Sequence, residues 1–191
     1  MKLDLNLRNK VTVPSPWKGE GVIIWTIGHS TRTIEDFTYL LHLNEIDQLA
    51  DIRSLPGSKR YPHFNQEHLS DYLRRHFIHY QWIKELGGRR KPHKNSHNTA
   101  WRSKSFQAYA DYMETAEFSQ GIEKLLSGAK EKRTAIMCSE AVWWKCHRSL
   151  VADYLKSIGI EVIHILIEDK NEIHPYTAAA KLKNGKLSYE S

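Results

Sequence analysis

"RTAIMCSEAVWWKCHRSLVADYLKSIGIEVIHILI", residues 133–167, decides the architecture. Its first six residues read as a strand, and the apolar run from Ala135 to Cys138 is as expected of one buried on both faces. "CHRSLVADYLKSIGI" then places Leu150, Val151, Tyr154, Leu155 and Ile158 on one helical face, and Gly159 stops the helix. "EVIHILI" returns to an apolar run. Two buried strands joined by one helix make a crossover between parallel strands.

The same alternation extends toward the N-terminus. Val22 to Ile27 is a β-branched run ending at Gly28, and Ile34, Phe37, Leu40 and Leu41 after it fall on one helical face with Thr33 as cap. "IDQLADIRS" reads as a second strand ending near Asp51 and Arg53. "QEHLSDYLRRHF" reads as a helix and "IHYQWI" as a third strand. The stretch from Lys84 to Ser105 is a long polar loop. Residues 106–129 form one or two helices broken near Glu117 to Gly121, and the segment from Glu168 is polar and carries no clear pattern. Residues 1–20, with two prolines and two glycines in "VTVPSPWKGEG", read as a flexible tail, and residues 21–191 as a single α/β domain. Strands alternating with helices imply a three-layer α/β/α arrangement around a mostly parallel central sheet, rhodanese-like or Rossmann-like.

In such sheets, ligands bind beyond the carboxyl ends of the strands. The segments there are Gly28-His29-Ser30, Asp51-Ile52-Arg53 and Cys138-Ser139-Glu140, and they are expected to converge. Both cysteines of the chain lie in this region, Cys138 at a strand end and Cys146 at the start of a helix. Lys145, Arg148 and the helix N-terminus favour a thiolate and equally favour a bound anion. Four readings therefore stand for this segment. Either cysteine is a nucleophile, with His29, Glu140 or His147 moving protons and Arg148 and Arg53 binding the anion. The two sulfurs form a redox pair. Cys138, Cys146 and His147 hold a metal with His29 or Asp51, although adjacent Cys146 and His147 should point to different sides of a helix. Or the sulfurs are simply core. Asp51 and Arg53, two apart on a strand, share a face and either orient a ligand or pair with each other.

Two resemblances bear on these readings. "TAIMC…HRSLVADYLKSIGIEVIHI" and "LADIRSLPGSKRYPHFN" resemble rhodanese-like domains and their phosphatase relatives, in which a strand ends in a catalytic cysteine and an Arg-Ser pair, here Arg148-Ser149, opens the next helix. Nine residues, none of them glycine, separate Cys138 from Arg148, so Cys146 competes with Cys138 for the role. The chain also resembles, from Ile24 to Ile165, the uncharacterised bacterial and archaeal family called domain of unknown function 488. The motifs "TIGHS", "DIRSLPGS", "HFN", "ELGG" and "CSEAVWWKCHRSLVADYL" carry that resemblance in order. It implies an α/β fold. Its polar motif positions fall on His29, Ser30, Asp51, Arg53, Asn65, Cys138, Glu140, Cys146, His147 and Arg148.

Composition narrows the function classes. Of 191 residues, 40% are hydrophobic and 26% charged, enough to bury a core without disulfide or metal. Two cysteines are too few for a disulfide framework, and "MKLDLNLRNK" lacks a secretory apolar region, so a cytoplasmic location is expected. No apolar run reaches spanning length, so no membrane partner is expected. The net charge is +6, and from Arg53 to Lys104 twelve Lys and Arg face three acids. That excess favours an anionic partner, either a small substrate or nucleic acid. No P-loop, dinucleotide fingerprint or serine nucleophile elbow is present. The leading expectation is a thiolate-dependent transferase or hydrolase with an anion site at the sheet edge and no cofactor. The alternatives are a nucleic-acid module using the basic 53–104 surface, with Trp101 as a stacking platform, and a non-catalytic small-ligand sensor.

Overall fold

The computed structural model describes residues 21–167 and 170–191, so the tail expected over residues 1–20 lies outside the described residues. One six-stranded sheet contains β1 (Ile23–Gly28), β2 (Gln48–Asp51), β3 (His79–Trp82), β4 (Thr134–Cys138), β5 (Glu161–Ile167) and β6 (Lys170–Ile173), in the order β3-β2-β4-β1-β5-β6. The first five are parallel, and β6 adds antiparallel to the edge. The helices are α1 (Ile34–Leu43), α2 (Gln66–Arg75), α3 (Lys104–Tyr112), α4 (Ala116–Ala129) and α5 (Arg148–Ser157).

Both faces of the sheet are covered, which explains why β4 is buried throughout and apolar from Ala135 on. Ala135 and Met137 pack on one face with Phe37, Leu40 and Leu41 of α1 and Leu69 and Leu73 of α2. Ile136, on the opposite face by the period of two, packs with Tyr109, Phe118 and Leu125 of α3 and α4 and with Leu150 and Leu155 of α5. The fold is therefore α/β with helices on both sides of a mostly parallel sheet. Leu150, Val151 and Leu155 are fully buried, and truncating one such leucine to alanine costs about 2–5 kcal/mol. Gly159, at φ +89, takes the left-handed turn that ends α5.

Two expectations need correction. The break between α3 and α4 falls at Met113–Thr115, ahead of the expected 117–121, because the Thr115 hydroxyl caps α4 by accepting from the Phe118 N–H. Gly121 instead lies inside α4, where a Cβ would come 2.8 Å from Leu86 Cδ2, so this glycine serves close packing and not a turn. The unpatterned C-terminal segment is also structured. It supplies β6 and then the hairpin of β7 (Lys181–Lys183) and β8 (Lys186–Ser188), whose Tyr189 enters the core beside α5. Among the described residues, no helix is long and apolar enough to cross a membrane.

Candidate functional site

Strands β1, β2 and β4 end level with one another, Gly28 opposite Cys138 and Asp51 opposite Met137. Backbone bonds continue past the strand ends. His29 N donates to Cys138 O (3.0 Å), Ser30 N to Ser139 O (2.8 Å) and Ile52 N to Met137 O (3.0 Å). Ser30 takes a left-handed φ of 48 to make this approach. The three strand-end segments thus converge as the parallel-sheet rule requires.

They line a cavity of about 690 Å³ whose wall includes His29, Ser30, Arg53, Arg60, Gly88, Arg89, Ser105, Glu140 and Lys145, with Cys138, Cys146 and His147 also exposed to it. Four cationic side chains face one carboxylate there, and three of them (Arg53, Arg60 and Arg89) come from the basic 53–104 segment. The arrangement favours anions.

Cys138, Cys146 and His147 form one buried cluster. His147 Nδ1 lies 3.5 Å from Cys146 Sγ and 3.8 Å from Cys138 Sγ. The ring is aimed by its other nitrogen, since Nε2 bonds the Ile52 carbonyl at 3.0 Å. A carbonyl only accepts, so Nε2 carries a proton and Nδ1 is the nitrogen turned toward the sulfurs. The expectation that Cys146 and His147 point apart is overturned. Cys146 is extended backbone ahead of α5 (φ −130, ψ 149), and His147 is the residue before its first turn. Both cysteines are free. The hydrogen bond with Cys146 and burial push the Cys138 thiol up to about 12. Burial also pushes Cys146 up, but the Cys138 hydrogen bond, the Arg148 charge and the Arg148 N–H at 3.5 Å together outweigh it, bringing this thiol down to about 6. The two shifts run in opposite directions, so Cys146 is the sulfur of the pair that gives up its proton more readily.

His29 stacks on Phe64 with centroids 4.2 Å apart, and its Nδ1 donates to Ser30 O at 3.1 Å. Burial first, then the Arg53 charge, lower its pKa to about 4, so it faces the cavity as a neutral base.

Other expected ligand groups are engaged in bonds within the protein. Asp51 is fully buried and takes Arg53 in an ion pair at 2.5 Å, with Tyr80 Oη donating at 2.7 Å. The two do pair with each other; Arg53 lines the cavity, while Asp51 is not among its lining residues. Arg148, 1% exposed, likewise lies behind the cavity wall. Its Nη2 donates to Glu140 O at 2.6 Å, holding the 139–147 loop. Gly28 makes room for that contact, because a Cβ there would come 1.8 Å from Glu140 O. Ser149 Oγ bonds Cys146 O at 2.9 Å, and Asn65 Oδ1 accepts from Ser58 N.

One group escaped the sequence reading. Arg148 Nη1 donates to Thr26 Oγ1 (3.5 Å), Thr26 Oγ1 bonds His164 Nδ1 (2.7 Å), His164 Nε2 bonds His174 Nδ1 (2.9 Å), and His174 Nε2 bonds Asp153 (3.0 Å). Trp143 stacks on His164 at 4.4 Å, which ties the cysteine loop to the chain. The one polar residue inside the apolar run from Val162 to Ile167 was a signal for His164; His174, in the polar C-terminal segment, carried none.

The model of the domain of unknown function DUF488 matches residues 33–155. The chain belongs to the DUF488 family. The matched span contains Asp51, Arg53, Gly88, Cys138, Cys146, His147 and Arg148; His29, Ser30, His164 and His174 lie outside it. No curated protein and no solved structure matches the chain.

Proposed function

We propose that this DUF488 protein is a thiolate-dependent enzyme acting on a small anionic, phosphorylated or sulfur-bearing substrate, with Cys146 as nucleophile. The observation that carries this reading is a thiol pair exposed to a cavity that also bears Arg53, Arg60, Arg89 and Lys145. These cations hold the anionic group. Cys146 Sγ gives an electron pair to the electrophilic centre, a bond from sulfur to that centre forms, and the bond to the leaving group breaks with its pair going to the leaving group. An acceptor, water in a hydrolase, then attacks the adduct as neutral His29 takes its proton, and the bond to Cys146 Sγ breaks with its pair returning to the thiolate. Arg148 acts behind the wall, supporting the thiolate and fixing the loop.

The test compares iodoacetate with iodoacetamide on chelator-treated protein. The anionic reagent is expected to label Cys146 faster than the neutral one, with inorganic phosphate or sulfate slowing the reaction and Arg89→Gln or Lys145→Gln removing the preference. Equal rates without anion protection sink the reading. Protection by an oligonucleotide but by no small anion would transfer the cavity to nucleic acid.

A further inference from the structure

We infer that Cys138, Cys146 and His147 also form a binding site for Zn2+, with three protein ligands and a fourth position open to the cavity. This goes beyond the thiolate reading. The metal-free dithiol is the nucleophilic form, whereas the ion takes both sulfurs as ligands.

The spacing of the donor atoms is the first argument. Around a tetrahedral zinc with Zn–S about 2.3 Å and Zn–N about 2.0 Å, a sulfur and a nitrogen stand about 3.5 Å apart. Here the two sulfur-to-Nδ1 distances are 3.5 and 3.8 Å, and all three donor atoms lie within 4.8 Å of one another. An ion enters this triangle with little movement. Two thiolates and one imidazole suit zinc among the divalent ions, and oxygen-preferring magnesium and calcium are disfavoured.

The surroundings are those of a ligand set. A metal-binding imidazole is held by a hydrogen bond from its other nitrogen, and His147 Nε2 has the Ile52 carbonyl for this. The Arg148 N–H points at Cys146 Sγ, a contact that suits a sulfur carrying negative charge. Gly88 leaves space at the metal-facing nitrogen, where a Cβ would come 2.5 Å from Nδ1. Binding displaces the proton of the Cys138 thiol to solvent and leaves two thiolates on the ion, with no oxidant or reductant involved. All three ligands line the cavity, so a bound anion reaches the fourth position.

The experiment is an anaerobic titration of the full chain with Co2+ as spectroscopic probe, followed by Zn2+ displacement. One equivalent of Co2+ is expected to give a thiolate-to-cobalt charge-transfer band with the strong visible absorption of tetrahedral cobalt. Zn2+ is expected to abolish it and to protect Cys146 from iodoacetamide. Inorganic phosphate should shift the visible bands if the fourth position is open. Cys138→Ser, Cys146→Ser and His147→Gln should each weaken binding by more than about tenfold, since even changes beyond the ligands cost 10–100-fold. Gly88→Ala, which keeps every ligand but crowds Nδ1, should weaken it as well. No charge-transfer band, or a band unchanged in His147→Gln, overturns the site. The wild-type protection measurement decides the matter even where a variant fails to fold. The iodoacetate preference is read without metal, so either idea can fail while the other stands.

Discussion

Arg148 and Asp153, five residues apart on α5, hold opposite ends of one hydrogen-bonded chain that leaves the helix and returns to it through Thr26, His164 and His174. Its direction follows from donor chemistry. Arginine only donates, so Thr26 accepts from it and donates to His164 Nδ1; His164 Nε2–H then donates to His174, and His174 Nε2–H to the Asp153 carboxylate. Asp153 also accepts from Thr177 and Tyr189, which brings the C-terminal hairpin onto the same helix.

Breaking this chain should loosen the cysteine loop without touching the cavity. Thr26→Val removes an acceptor from Arg148 and a donor from His164, both fully interior. The expected loss is about 1–3 kcal/mol by urea unfolding, from buried groups left unpaired. Thr26→Ser should recover most of it. A Val variant as stable as the wild type would show that the chain carries no stability.

Asp153→Ala should cost more, about 3–5 kcal/mol, as expected for removing one member of a buried, hydrogen-bonded charged group. The C-terminal hairpin should become the first segment cut in limited proteolysis, because Tyr189 and Thr177 lose their common acceptor.

Stability should fall with acid. His29 and His164 have folded pKa values lowered to about 4 and about 2 by burial first, then by neighbouring positive charge, and both are held neutral. Below about 6.5 the unfolded chain binds protons that the folded chain refuses, so unfolding free energy decreases as pH drops. Each histidine contributes a slope of up to about 1.4 kcal/mol per pH unit from about pH 6.5 toward its folded value. Urea unfolding at pH 7.5, 6 and 5 reads the slope, and His29→Gln should remove one share. A flat profile contradicts the burial of both rings.

In chelator-treated protein, alkylation should distinguish the two thiols. Cys146, lowered to about 6, should react across neutral pH with a rate that rises through pH 6 and then levels. Cys138, raised to about 12, should stay inert until strongly alkaline pH. Peptide-resolved mass spectrometry reads both at once, and the opposite order would reassign the nucleophile.

Gly28→Ala should disrupt the loop, since the new Cβ falls on the Glu140 carbonyl that Arg148 grips. Overpacking of this kind costs about 1–3 kcal/mol or more. Cys146 labelling should slow along with the loss of stability, whereas alanine at Gly185, where a Cβ meets open space, should leave labelling unchanged.

Much of the fold was legible because its signals are local. The apolar run of β4, the Gly159 stop after α5 and the Thr33 cap of α1 each reflect a backbone preference set within a few residues. The rule that ligands gather beyond parallel strand ends then placed His29, Arg53 and Cys138 together without coordinates. The break between α3 and α4 was missed because Gly121 reads as a breaker in sequence, while its reason is the approach of Leu86, 35 positions earlier in the chain.

Within the site, residue types were readable and partners were not. That Asp51 serves Arg53 and Tyr80, and that Arg148 grips a carbonyl behind the wall, depends on which atoms the packed sheet brings within hydrogen-bond reach. The relay from Arg148 to Asp153 crosses from helix to β1, β5 and the segment beyond β6, contacts separated by more than a hundred positions at their widest. Sequence alone determined the alternation of strands and helices, the basic excess and the thiols at a strand end, since periodicity and composition are properties of the unfolded chain. The tertiary structure decided which thiol lies beside the Arg148 N–H, which His147 nitrogen faces the sulfurs and which cations face the cavity, because hydrogen bonds and burial exist only between atoms that folding has brought together.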